Sequence, residues 1–193
     1  MKKLLLSGLG LIVVVFFIYS YYKSNYNGEV KLSEGVSSQW STVGVAYQKR
    51  LDLIPNLVTT VKMAANFEKS TLVELVEARA KATSIQINPQ NLSPQALSQF
   101  TQAQEGVGSA LSRLLVTVEN YPTLKANQNF LELQAQLEGV ENRIAVERRK
   151  FNEVTKEYNT FVRQFPRSFL FKWATKPYFE HSQGAAVAPK INL

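Results

Sequence analysis

Histidine, cysteine and aspartate supply most of the metal and acid–base chemistry of proteins, and this chain has one His, no Cys and a single aspartate, Asp52. A transition-metal site needs several clustered His or Cys ligands. His181, beside Glu180, therefore reads as a surface residue. One aspartate cannot build an aspartate-rich cation site, and the lack of cysteine excludes disulfides and thiol chemistry. Glu138 and Glu141, and Glu153 and Glu157, are carboxylates at helical spacing, but each pair has Arg or Lys neighbours, the pattern of a solvated helix face. Gly106 and Gly108 fall inside a helical pattern and read as close helix packing, not as a phosphate loop. The formal net charge of +7 is mild and no recognition motif accompanies it, so nucleic acid is not an expected partner. The residue inventory predicts no cofactor, no metal site and no enzyme.

Two polar constellations remain. Gln104 and Glu147 occupy seam positions of their helical stripes, and a turn-by-turn alignment brings Arg79 to the same level. These three are expected either to form a buried polar layer that fixes register or to leave Glu147 turned to solvent. The second is the basic, aromatic stretch near the C-terminus, with Arg163, Arg167, Phe169, Phe171, Lys172, Trp173, Lys176, Tyr178 and Phe179. Arg167, Lys172, Trp173 and Lys176 would bind a membrane interface, or the stretch would cap the distal end of a bundle as ordinary core.

The elements that position these residues follow from apolar periodicity. After a basic start (1–3), residues 4–22 are uncharged and long enough to be read as a transmembrane helix, with Tyr19, Tyr21 and Tyr22 as an interfacial aromatic belt. The run ends in bulky residues without a small-x-small cleavage site, which favours a retained anchor over a cleaved signal. A polar linker (23–31, with Asn27-Gly28) leads to three helices expected at about 32–84, 94–121 and 129–165. Ser93 with Pro94 is a start signal for the second, and Asn129 with Glu132 a capping box for the third. Pro122 and Pro166 end the second and third, and residues 180–193 read as a flexible tail. The expected fold is all-α: an N-terminal transmembrane helix, then a long antiparallel three-helix, up-down-up, coiled-coil-like bundle (32–179) with a short C-terminal tail.

Pro55 interrupts the first long stripe. A proline in a helix interior lacks the N–H and crowds the carbonyl four residues back, here that of Leu51, so the helix is expected to kink or restart there. Residues 32–53 would then project below the bundle as a stalk of about 33 Å. Val36, Trp40, Val43 and Tyr47 line one face of that stalk, a stripe expected to be covered by the C-terminal tail or to join copies of the chain.

Several strings in this order and spacing are specific: Arg50 to Val58 (RLDLIPNLV) with Val61-Lys62, Tyr121 to Asn127 (YPTLKAN), Leu133 to Glu138 (LQAQLE), Glu141 to Ile144 (ENRI), Arg148, Tyr158 to Thr160 (YNT), Phe165-Pro166, and Pro177 to Phe179 (PYF). In these the chain resembles the LemA family of bacterial membrane proteins over nearly all of its length beyond residue 22. The resemblance implies an N-terminal membrane segment and long antiparallel helices, and it carries no agreed molecular activity. Some relatives begin with a lipoprotein signal. Leu4 to Leu9 (LLLSGL) has the lead-in without the cysteine, so a protein anchor is expected in its place.

These readings lead to a non-enzymatic, membrane-anchored helical scaffold. It would self-associate as a homo-oligomer in the cell envelope, single-pass in the inner membrane through residues 4–22, with its helical part on the exported side. The alternative is a lipid-binding module that bridges or remodels membranes through its C-terminal segment. No client protein is indicated by the sequence.

Overall fold

Two of the long helices start on capping side chains. The Ser93 hydroxyl accepts the N–H of Ala96 at 3.1 Å and Pro94 fills the first helical position; Asn127 accepts the N–H of Phe130 at 3.2 Å. The computed structural model describes residues 2–63 and 67–180, with the side chains of 2–7 and 91 set aside. Its elements in order are α1 (Lys2–Lys62), α2 (Lys69–Ser84), a 3-10 turn (Pro89–Asn91), α3 (Pro94–Val118), α4 (Pro122–Lys125), α5 (Gln128–Arg163) and α6 (Arg167–Leu170). All regular structure among the described residues is helical. Residues 171–180 follow α6 without regular structure.

The long helices alternate in direction. Arg79 of α2 reaches the Leu51 carbonyl of α1, and Arg113 of α3 pairs with Glu74 of α2. Along α5, Glu141 meets Arg50, Glu147 meets Gln39 and Tyr158 meets Glu29, so α5 runs antiparallel to α1 at nearly constant register. The order is up, down, up, down, a four-helix plan.

Two apolar cores stack along this axis. One joins Ile54, Leu57 and Val61 of α1 to Leu75, Val107, Leu114 and Phe130. The other joins Val36, Trp40, Val43 and Tyr47 to Leu97, Phe100, Ile144, Phe151, Tyr158 and Phe179.

This plan corrects the sequence-based expectation in three places. Among the described residues no helix is long and apolar enough to cross a membrane, which overturns the transmembrane helix expected over residues 4–22. Within the described side chains the apolar residues 9–18 give way directly to Tyr19, Ser20, Tyr21, Tyr22 and Lys23. Part of that expectation fell on the side chains of 2–7, which lie outside the described residues, as do His181 and the rest of 181–193.

The linker expected at 23–31 is helical and belongs to α1. A Cβ on Gly28 would stand 2.8 Å from the Phe161 ring, so the glycine serves close approach of α5 and not a turn.

Of the kink or restart expected at Pro55, the restart is absent, since α1 continues through it to Lys62. The chain reverses instead between α1 and α2. That added reversal flips every later helix, so the expected three-helix, up-down-up order becomes four, and α5 returns toward the start of α1.

Candidate functional site

Because α5 comes back, the C-terminal stretch packs on the early part of α1 and not on the distal end. Asn25 of α1, 5 % exposed, accepts the Arg167 Nε–H at 2.5 Å, and its amide donates to the Tyr21 carbonyl at 2.7 Å. The Arg167 guanidinium lies 4.0 Å from the Phe161 ring centroid. Tyr22 and Phe171 rings are 5.2 Å apart, and Phe171 stacks on Trp173 at 4.3 Å. Phe165, Phe169 and Leu170 stand out into solvent at 85, 78 and 56 % exposure, as do the large apolar residues of 9–18 just along α1. Arg163 and Lys172 are exposed beside them. Of the four residues singled out in this stretch, Lys172 stands exposed to water; Arg167 and Lys176 are tied down and Trp173 is half-buried.

Residues 171–180 then run as an extended strap antiparallel to α5. Asn159 donates its amide to the Lys176 carbonyl and accepts the Lys176 N–H, both at 2.8 Å. Asn152 does the same to Phe179, both bonds at 2.9 Å. Seven residues of helix rise about 10.5 Å, and three residues of extended chain cover about 10 Å, so the two clamps meet the strap in step. Arg148 adds a bond to the Glu180 carbonyl at 3.0 Å and lies over the Phe179 ring. Phe179 itself is buried against Trp40, 5.8 Å away and nearly parallel, and against Phe151.

Lys176 reaches the Ser33 hydroxyl at 2.9 Å; burial lowers its pKa, opposed by Glu29 and Glu34. The Tyr158 hydroxyl faces the Ala174 carbonyl and Glu29. Burial first, then the Glu29 carboxylate, push its pKa up to about 12.

The stripe of Val36, Trp40, Val43 and Tyr47 is therefore not a free stalk face: α3, α5 and the strap cover it, leaving each residue at 5 % exposure or less. The expected layer of Arg79, Gln104 and Glu147 does not form either, because the reversal between α1 and α2 separates its members. Arg50 of α1 takes Gln104 instead. It donates to the Gln104 carbonyl at 2.8 Å and side chain at 2.6 Å and to Glu141 at 2.9 Å, linking α1, α3 and α5. This guanidinium forms part of the wall of an open cleft of about 1260 Å³ between α3 and α5.

Glu147, 1 % exposed, accepts from Gln39 at 2.8 Å and pairs with Arg143 and Lys150. Its pKa is lowered, first by the Gln39 hydrogen bond and then by the two cations, against the opposing effect of burial. Among the described residues no three His, Asp or Glu side chains gather to hold a metal ion. Reading the sequence missed Asn25, Asn152 and Asn159. The signal was there in the last two, which are seven apart beside Phe151 and Tyr158.

The chain is similar to Magnetosome protein MamQ 2 of Paramagnetospirillum magneticum, 26 % identical over 164 residues, covering 75 % of this chain and 60 % of the relative. It is similar to the same degree to Magnetosome protein MamQ of Magnetospirillum gryphiswaldense. Protein LemA of Metamycoplasma hominis is 22 % identical over 154 residues, covering 80 % of this chain and 67 % of the relative. The chain thus spans about 60 % of the length of the magnetosome proteins it matches. The LemA family profile matches residues 39–193, which takes in Trp40, Arg50, both asparagine clamps and the strap, and the chain belongs to the LemA family.

Proposed function

We propose that the protein is a non-enzymatic module that rests on a lipid surface by the end of its bundle where α1, α6 and the strap meet. One observation carries this reading. The exposed apolar run 9–18, Tyr19, Tyr22 and Tyr26, the exposed Phe165, Phe169 and Leu170, and the exposed Arg163 and Lys172 all gather at that end. A contiguous exposed apolar patch of this kind marks an interaction surface, and aromatic rings with cations at its rim suit a headgroup layer. Each large apolar side chain gains roughly 1.5–3 kcal/mol on full burial, and each cation about 1 kcal/mol near an anionic surface. The alternative, self-association through Val36, Trp40, Val43 and Tyr47, loses its support because the chain covers that stripe itself.

The two tryptophans make the test direct. In full-length Trp40→Phe protein, Trp173 is the sole tryptophan. Mixing with anionic vesicles whose acyl chains carry bromine should quench its fluorescence. Unquenched Trp173, or equal quenching after Phe165, Phe169 and Leu170 are replaced by Ser, would overturn the reading.

A further inference from the structure

The strap is held as a ligand is held. Its contacts include two asparagine clamps on main-chain atoms, one aromatic side chain in an aromatic pocket, the Lys176 bond to Ser33, the Ala174 carbonyl on Tyr158 and the Glu180 carbonyl on Arg148. None of these depends on covalent continuity with α5. We propose that the groove between α1 and α5 receives this segment from a second copy of the chain, so that copies associate by exchanging residues 171–180.

The choice of occupant rests on fit. The segment that matches the groove bond for bond is the chain's own, and a second copy presents it unchanged. Exchange reproduces every strap contact, so the free-energy difference between the closed and exchanged forms lies in the connector and in the cost of association. The connector between α5 and the strap is tied to the rest of the bundle by few side chains. Phe165, Phe169 and Leu170 are largely exposed, and its side-chain ties are those of Arg167 to Asn25, Gln164 and the Phe161 ring. Rerouting it gives up the Arg167 ties to Asn25 and Phe161 and little other buried surface, and concentration decides the balance. Exchange would also place a residue of one copy, Phe179, in the core of the next, which makes each core incomplete without its partner. This inference does not depend on lipid contact.

The chain has no native cysteine, so introduced thiols report without background. Full-length Arg148→Cys and full-length Glu180→Cys chains, carrying different tags, would be produced in the same cells, extracted in mild detergent and treated with a short bis-maleimide reagent. A chain carrying both substitutions reports the closed form. The expected result is a crosslinked product of twice the chain mass bearing both tags, lost when Asn152→Ala and Asn159→Ala are added to the Arg148→Cys chain. Crosslinking only within the doubly substituted chain would overturn the proposal. So would crosslinking in neither case, since the groove would then hold no strap. A two-tag product that survives loss of both clamps would reflect mere proximity and overturn it equally.

Discussion

Arg79 replaces the hydrogen bond that Pro55 removes. In a helix the N–H of residue 55 would bond the carbonyl of Leu51, and proline has none. The Arg79 Nε–H of α2 meets that carbonyl at 2.9 Å, so α1 runs through its proline with the orphaned acceptor satisfied from the neighbouring helix. The relationship predicts coupling. Arg79→Ala should cost about 1–3 kcal/mol in the native chain, and distinctly less in a Pro55→Ala background, where the substituted residue has its own N–H to donate. Denaturant unfolding of the four chains of this cycle measures it; equal costs in both backgrounds would refute it.

Arg50 is 4 % exposed and forks between two helices. A lysine carries the charge but cannot present the fork. Arg50→Lys should lower stability by about 2 kcal/mol and Arg50→Ala by about 3 kcal/mol or more, because the Gln104 groups stay buried without their donor. Equilibrium unfolding by circular dichroism reads both.

Glu147 makes stability depend on pH in a defined window. Its folded pKa lies below the reference value of 4.5, so the charged form is favoured by folding. The contribution is fully present above about pH 4.5 and disappears as pH falls through the depressed folded value. Glu147→Gln should therefore be destabilising at pH 7, with the difference from the native chain shrinking below pH 4.5. A difference constant from pH 7 to pH 3 would contradict the assignment.

Asn152→Ala should loosen the strap without unfolding the helices. Each clamp contributes two hydrogen bonds of about 1 kcal/mol net apiece, and Phe179 leaves Trp40 when they fail. The expected signs are faster proteolysis within 171–180 and a red-shifted Trp40 emission in a Trp173→Phe background, with unchanged far-ultraviolet circular dichroism.

Replacing Arg163 and Lys172 by Gln should weaken binding to anionic vesicles by about tenfold at low salt and leave binding to neutral vesicles unaltered. Vesicle co-sedimentation across a salt series measures this, and the difference between the two proteins should vanish at high salt.

What could be read from sequence was local. The helical period and the Ser93–Pro94 start are carried by adjacent residues, whereas the stop expected at Tyr121–Pro122 falls at Val118 and Pro122 instead opens α4. The reversal between α1 and α2 is not: Met63, Ala64 and Ala65 are good helix formers by type, and neither Gly nor Pro marks the place. The structure beyond the turn favours it, through Phe67 against Tyr121 and the burial of Leu72 and Leu75. Pro55 misled for the complementary reason, since its remedy stands 24 positions further on at Arg79. One misplaced turn then moved the C-terminal stretch from one end of the bundle to the other. Trp40 and Tyr47 stand out in the sequence as apolar residues in need of cover, and the C-terminal tail expected as one such cover supplies Phe179; the share contributed by α5 depends on that turn.

The unbroken passage of α1 through Pro55 also makes the molecule a gauge of height. From Tyr22 to Lys62 a single helix runs for about 60 Å of contour. Whatever surface the tyrosine end rests on, the turn bearing Phe67 and Tyr121 is carried at that standoff. Lengthening α1 and α5 together by whole heptads would raise the far turn in steps of about 10.5 Å while leaving every contact at the foot in place.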